Sequence, residues 1–254
     1  WRFGGGSIWH TPAVDLESGM IFLGIGNPSP QSAGEVRPGD NLYTSSLVAL
    51  DVKTGKRVWQ YQQSPHDIWG YDVASPPVLF DAAIEGKSVP AVGHASKLGW
   101  YYVHARATGK LLYKSEAFVP QKNMFALPTP EGVTVSPGVG GGTNWSPVSI
   151  DTKSGVVYVA AMHMPTKYRT AELPAADGKP AVRYSVLGTA DEPNWGTLTA
   201  IDLKAKGKIV WQNKTKDPLV GGVLATAGGL VFNGEGSGDF AAFDAKTGEK
   251  LWRF

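Results

Sequence analysis

The chain has 254 residues, 42% of them hydrophobic and 18% charged, and a formal net charge of +2. That balance leaves no electrostatic footprint for nucleic acid and no basic run for a membrane surface. With no apolar run of 18 residues and no cysteine, a transmembrane helix is not expected, and a disulfide scaffold or thiolate metal site is excluded. The 32 glycines and 18 prolines favour short strands joined by turns over long helices.

The start, WRFGGGSIWHTP (1–12), reads as the middle of a strand. It lacks the basic region and apolar run of a signal peptide. PAVDLESGMIFLGIG (12–26) is the first hairpin: a proline, alternating apolar residues, an aspartate, Ser-Gly and an apolar strand. LVALDVKTGKRVWQY (47–61) is a second type, two strands around a D-x-x-T-G turn with a tryptophan in the outer strand. The turn has a mechanism: Asp and Thr side chains bond local amides, and Gly supplies the positive φ. A degenerate copy, YYVHARATGKLLYKS, follows at 101–115. PVSIDTKSGVVYVAA (147–161) repeats the first type, and LTAIDLKAKGKIVWQN (198–213) the second. GGVLATAGGLVFNGEGSG (221–238) and FAAFDAKTGEKLWRF (240–254) are the last pair. The chain ends in mid-strand, so it is expected to be a piece of a longer polypeptide.

An inner hairpin followed by an outer one makes a four-stranded unit. Four are expected, roughly 8–63, 74–118, 143–214 and 220–254, with long insertions around 119–142 and 163–196. Such recurrence predicts an all-β β-propeller with about four four-stranded blades. A β-sandwich with decorated hairpins is the alternative. GIGNPSP (24–30) has a G-x-G, but its prolines prevent the helix a dinucleotide fold needs. His10, His66, His94, His104 and His163 show no metal-ligand spacing and read as loop or packing residues.

Several blocks carry a more specific likeness: GGGSIWHTPAVD (4–15), GIGNPSP with RPGDNLYTSSLVALD (24–51), PHDIWGYD (65–72), GHASKLGWYYVHARATGKLL (93–112), GGTNWSPVSID (141–151) and residues 221–252. In order and spacing they resemble the pyrroloquinoline quinone (PQQ) alcohol and methanol dehydrogenases. The resemblance covers nearly the whole chain and the middle and later blades of that family. It implies part of an eight-bladed, periplasmic propeller that holds the quinone over its axis beside Ca²⁺ or a lanthanide. Substrate would be an alcohol, and a cytochrome or similar acceptor would take the electrons.

By this resemblance Trp9 is the floor under the quinone, Asn27 a metal ligand through its side-chain oxygen, and Lys97 the cation reaching the quinone oxygens. A planar indole, a hard oxygen and a fixed positive charge suit those tasks. Two departures stand out. Where the family has a general-base aspartate, this chain has Gly70, which accepts no proton. Asp72 is the candidate in its place. In an extended segment it would share the side of Gly70, displaced by about 6–7 Å, while Asp67 would face away. Met162 and Val220 also replace an asparagine and a tryptophan of some members. The family's glutamate metal ligand, quinone-carboxylate contacts and adjacent-cysteine disulfide precede the block matching residue 1. Gly70 keeps a second reading open, a non-catalytic propeller serving as a binding or assembly scaffold. The open edges of four blades also imply self-association.

Overall fold

The computed structural model describes residues 4–254. Its elements are strands, apart from a 3-10 turn at Gly34–Val36. The first antiparallel sheet contains β1 (Ala13–Asp15), β2 (Met20–Gly24), β3 (Ser46–Asp51) and β4 (Arg57–Gln62), paired in chain order. The second contains β5 (Val78–Ile84), β6 (Lys87–Ala95), β7 (Tyr101–Ala105) and β8 (Leu111–Lys114). After the short β9 (Val133–Val135), β10 (Ser149–Asp151) and β11 (Val156–His163) begin the third. The hairpin β12 (Thr166–Leu173) and β13 (Val182–Thr189) interrupts it before β14 (Trp195–Asp202) and β15 (Lys208–Thr215) complete the order β10-β11-β14-β15. The fourth is β16 (Val223–Ala225), β17 (Leu230–Gly234), β18 (Phe240–Asp244) and β19 (Lys250–Arg253). The all-β reading and its four four-stranded blades hold.

The repeated turn works as its sequence implies. The Asp51 carboxylate accepts from the Thr54 amide and hydroxyl, both at 2.7 Å, and Asp244 accepts from the amides of Lys246 and Thr247. The following outer strand pairs across a bulge at the same place in all four sheets, after Ala49, Val103, Ala200 and Ala242.

Blades are joined by faces and by one recurring bond. Phe22, Leu47 and Trp59 pack with Val92 of the second blade. Tyr101 and Val103 pack with Val157 and Ile201 of the third, and Tyr158 and Leu198 with Val231 and Phe243 of the fourth. Trp59 Nε1 donates to the Arg106 carbonyl at 2.8 Å, Tyr113 Oη to that of Leu203 at 2.8 Å, and Trp211 Nε1 to that of Ala245 at 3.0 Å. Each acceptor occupies the same place in the next blade's turn. The turn glycine lets the ring approach: a Cβ at Gly109 (φ +71°) would lie 2.5 Å from the Trp59 ring, and one at Gly248 (φ +74°) 2.6 Å from that of Trp211. Trp252, the fourth residue of this series, is 49% exposed.

Two features depart from the sequence reading. Residues 4–12 are irregular rather than strand, and residues 1–3 lie outside the described part. The insertions are structured as well: β9, β12 and β13 form a three-stranded sheet in the order β13-β12-β9. It docks on the loop after β2, where Ser185 donates its amide to the Ser32 carbonyl at 2.8 Å and Arg183 pairs with Glu35. Among the described residues no helix is long and apolar enough to cross a membrane.

Candidate functional site

The segment PHDIWGYD is a compact loop. Residues 63–77 contain no strand, and the chain turns at Gly70, whose φ is +88°. The expectation of an extended segment with alternating sides therefore fails. Asp67, read from the sequence as facing away, is the residue that shapes the loop. Fully buried, its carboxylate accepts the amides of Trp69 (2.9 Å), Gly70 (3.0 Å) and Tyr71 (2.6 Å) and the Ser45 hydroxyl (3.0 Å). Burial pushes the Asp67 carboxyl up from its ordinary range, and those four donors pull against it. Arg37, also buried, donates to the carbonyls of Pro30, Gln31 and Asp67 and so ties the preceding loop to this one.

The inserted sheet holds the same loop from the other side. Tyr168 Oη donates to the Trp69 carbonyl at 2.8 Å, Trp69 Nε1 to Ala126, and Tyr71 Oη to Pro137 at 2.7 Å. Tyr71 and Tyr168 are fully buried, and burial raises both phenols well above their usual range.

On this frame the four sequence-designated residues come together. Asp72 Oδ1 accepts the Asn27 amide at 3.0 Å and lies 3.7 Å from Lys97 Nζ. The Lys97 ammonium donates to the carbonyls of Gly70 (2.8 Å) and Val139 (3.2 Å). Burial lowers the Lys97 pKa, and the charges of Asp72 and Asp67 oppose that shift. Trp9 lies against the neighbouring Gly26, where a Cβ would stand 3.1 Å from the indole Nε1. Its ring meets Trp145 edge to face at 6.0 Å, and both indoles are partly exposed.

The polar atoms left over define what the cluster can hold. Asn27 Nδ2 donates to the Pro28 carbonyl, while its Oδ1 and Asp72 Oδ2 accept no hydrogen bond among the described residues. These two free oxygens suit a hard cation. No group of three His, Cys, Asp or Glu fit for a metal exists among the described residues, so two oxygens are a partial set. Asn144 Oδ1 is buried without a partner beside Trp145, while its Nδ2 donates to Gly140. The GGTNWSP stretch gives Asn144 and Trp145 no role from sequence; the fold brings Trp145 to Trp9. Met162 is buried on β11 with its amide on the Gly142 carbonyl, and Val220 is partly exposed. The five histidines form no cluster with this site. His94 and His104 are buried in an aromatic stack with Tyr102.

The family model for the β-propeller domain of PQQ glucose/ethanol/alcohol dehydrogenases matches residues 1–125 and 117–254. The chain belongs to this family. Among curated quinoproteins, the quinoprotein ethanol dehydrogenase of Pseudomonas aeruginosa is 36% identical over 286 residues, covering 100% of this chain and 46% of the relative. The lanthanide-dependent methanol dehydrogenase of Methylacidiphilum fumariolicum is 31% identical, covering 100% of this chain and 44% of the relative. Of solved structures, the quinohemoprotein alcohol dehydrogenase from Comamonas testosteroni superposes with a TM-score of 0.85 at 33% identity, over 99% of this chain and 41% of that one. A europium-containing methanol dehydrogenase gives 0.86 at 30% identity, over 100% and 47%. The chain thus spans less than half the length of these quinoproteins. The fold class and the family resemblance of the sequence both stand, and PQQ with a calcium or lanthanide ion agrees with the family and these relatives.

Proposed function

We propose that this chain supplies the Trp9, Asn27, Asp72 and Lys97 part of a quinone and metal site in a protein that oxidises an alcohol. The observation that carries the reading is the continuous run from Asn27 through the Asp72 carboxylate to the Lys97 ammonium. Trp9 offers a partly exposed indole for stacking on a planar ring. Asn27 Oδ1 is the oxygen donor toward a metal. When bound, the quinone supplies the acceptor for the alcohol's hydride and the metal a Lewis acid. Asp72 then acts as general base, receiving the hydroxyl proton on its free Oδ2. A positioned base contributes roughly 10²–10⁴-fold. Lys97, held by two carbonyls, sets its ammonium 3.7 Å from Asp72 and fixes the carbonyl of Gly70. A cytochrome or similar carrier is the electron acceptor and the periplasm the site of action; both proposals follow the family.

The test uses the protein loaded with quinone and with Ca²⁺ or a lanthanide. Asp72→Asn is expected to lower alcohol-dependent dye reduction at least about 100-fold while quinone titration stays saturable. Undiminished turnover removes Asp72 from this role. The scaffold reading, which Gly70 favours, predicts no quinone affinity that Trp9→Ala weakens.

Self-association through the end blades is part of the same proposal, with a second copy of the chain as partner. Trp252 is exposed at one end. At the other, nothing lies within 4 Å of a Cβ at Gly55, and the Val52 carbonyl accepts no bond among the described residues. These are the donor and acceptor halves of the bond that joins successive blades.

A further inference from the structure

We propose that Thr166 and Tyr168 are positioning residues for the alcohol oxidation. From one face of β12 they hold the two backbone segments that carry the Lys97 acceptors, and so set the Lys97 ammonium beside Asp72. The inference rests on the alcohol-oxidising reading of the site and adds the residues of the inserted sheet that keep it in register.

A lysine ends in a point charge on a flexible stem, so a buried one needs outside groups to fix it. The stem of Lys97 is packed under the glycine-rich loop 138–142: a Cβ at Gly141 would stand 2.5 Å from Lys97 Cβ, and the Lys97 carbonyl accepts the Gly142 amide at 2.7 Å. The ammonium donates to the carbonyls of Gly70 at 2.8 Å and Val139 at 3.2 Å. Two of its three hydrogens are thereby used, and the charge stands 3.7 Å from Asp72 Oδ1. Its place is as well defined as those two carbonyls.

Both segments are tied to β12. Val139 donates its own amide to Thr166 Oγ1 at 3.0 Å. The residue before it lies directly on the strand, since a Cβ at Gly138 would stand 2.7 Å from the Thr166 amide nitrogen. On the other loop, the Trp69 carbonyl, one peptide before that of Gly70, accepts Tyr168 Oη at 2.8 Å. Thr166 and Tyr168 are two residues apart in a strand and so project to the same face; both are buried. β12 is the central strand of its sheet, with Thr166 opposite Thr189 and Val135, and Tyr168 opposite Leu187 and Val133. Ladders on both sides make it a rigid support. Hydrogen bonds and chain together close a circuit from Thr166 through Val139, Lys97, Gly70 and Trp69 to Tyr168. Buried hydroxyls are costly without partners, and these two find theirs in the loops of the site. Thr170, next on the same face, donates to the Pro128 carbonyl at 2.9 Å and stands outside the circuit. Removing the Thr166 or Tyr168 hydroxyl leaves a backbone group unpaired and frees one acceptor of the ammonium to move.

The experiment follows the ¹⁵N signal of the Lys97 ammonium and its hydrogen exchange with water, the signal being assigned by its loss in Lys97→Arg. Tyr168→Phe and Thr166→Val are each expected to speed exchange about three- to tenfold, the effect of one hydrogen bond. Thr166→Ser, which keeps the hydroxyl, is expected to restore the slow exchange. Thr170→Val removes a hydroxyl from the same face outside the circuit and is expected to leave exchange unchanged. In the quinone- and metal-loaded protein, Tyr168→Phe and Thr166→Val should lower kcat for alcohol-dependent dye reduction with KM little changed, while Thr170→Val should not. Unchanged exchange in Tyr168→Phe or Thr166→Val removes that residue from the role. Equal acceleration in Thr170→Val overturns the inference in favour of general loosening of the sheet, and faster exchange with undiminished kcat overturns the link to the reaction. If the unsubstituted protein oxidises no alcohol although quinone is bound, the alcohol-oxidising reading fails, and the exchange comparison alone decides whether β12 positions Lys97.

Discussion

Asp67 and Asp72 are five residues apart and carry the same group, yet the structure gives them opposite work. Asp67 spends both carboxylate oxygens on four donors and organises a loop. Asp72 directs Oδ1 to the Asn27 backbone N–H and the Lys97 ammonium, and its Oδ2 accepts no hydrogen bond among the described residues. Asp67→Asn leaves an NH₂ group facing an N–H or O–H donor, so it should destabilise the fold by roughly 2–4 kcal/mol; urea unfolding measures this. His104 gives a pH prediction. Burial lowers its pKa from 6.5 to about 4, and His94 is pushed down in the same stack. In the unfolded chain these rings take up protons below about pH 6.5, while in the folded chain they stay neutral. Stability is therefore full above pH 6.5 and falls as pH drops toward 4, by about 3 kcal/mol for His104. Urea midpoints from pH 7 to 4 follow the loss, and His104→Phe should make the slope shallower. A slope unchanged in that variant would assign the acid sensitivity to other groups.

At the scale of elements, the D-x-x-T-G turn is both a hairpin closure and a receptor for the preceding blade. Its glycine supplies a left-handed φ and admits an indole at close range. Gly109→Ala and Gly248→Ala should each cost more than about 2 kcal/mol, from strain at positive φ plus displacement of Trp59 or Trp211. Gly55→Ala, with the same positive φ and open space, should cost only about 1 kcal/mol. Thermal unfolding of the three variants separates strain from lost docking, and three equal losses would refute the receptor role. The inserted sheet has a separate duty. Tyr168, Ala126 and Pro137 bond the loop that carries Gly70 and Asp72, so the insertion braces the site from outside the blade pattern.

At the scale of the molecule, the first and fourth of the four sheets packed face to face each have one face without a partner among the described residues. The outer end carries Phe240, Leu251, Trp252 and Phe254, all at least 46% exposed. Isolated, the chain should associate head to tail at micromolar concentration, and Trp252→Ala should shift it toward monomer in sedimentation. A wild-type monomer throughout that range would refute the proposed association. Apolar contact drives this process, so added salt should not dissolve it.

The repeat, the turn chemistry and the all-β class were legible from sequence because each depends on neighbours within about 15 residues. Asp51, Thr54 and Gly55 meet through local backbone geometry, and Trp59 recurs at a fixed offset. The ordered blocks likewise carried the family and the residues Trp9, Asn27, Asp72 and Lys97. The loop 63–77 was not legible, because alternation applies only to a strand, and the carboxylate of Asp67 bends this segment into a turn. Nor was the inserted sheet, whose β9 and β12 are separated by the blade hairpin β10–β11. Gln31 and Trp145 gave no local signal; their contacts lie 39 and 136 residues away, at Gly70 and Trp9. Sequence by itself determined the all-β repeat and the family, and it named the residues now proposed for a quinone-type site. Tertiary structure alone decided which carboxylate keeps an unpaired oxygen and what packs against Gly70, since both depend on side chains converging from loops that no periodicity relates.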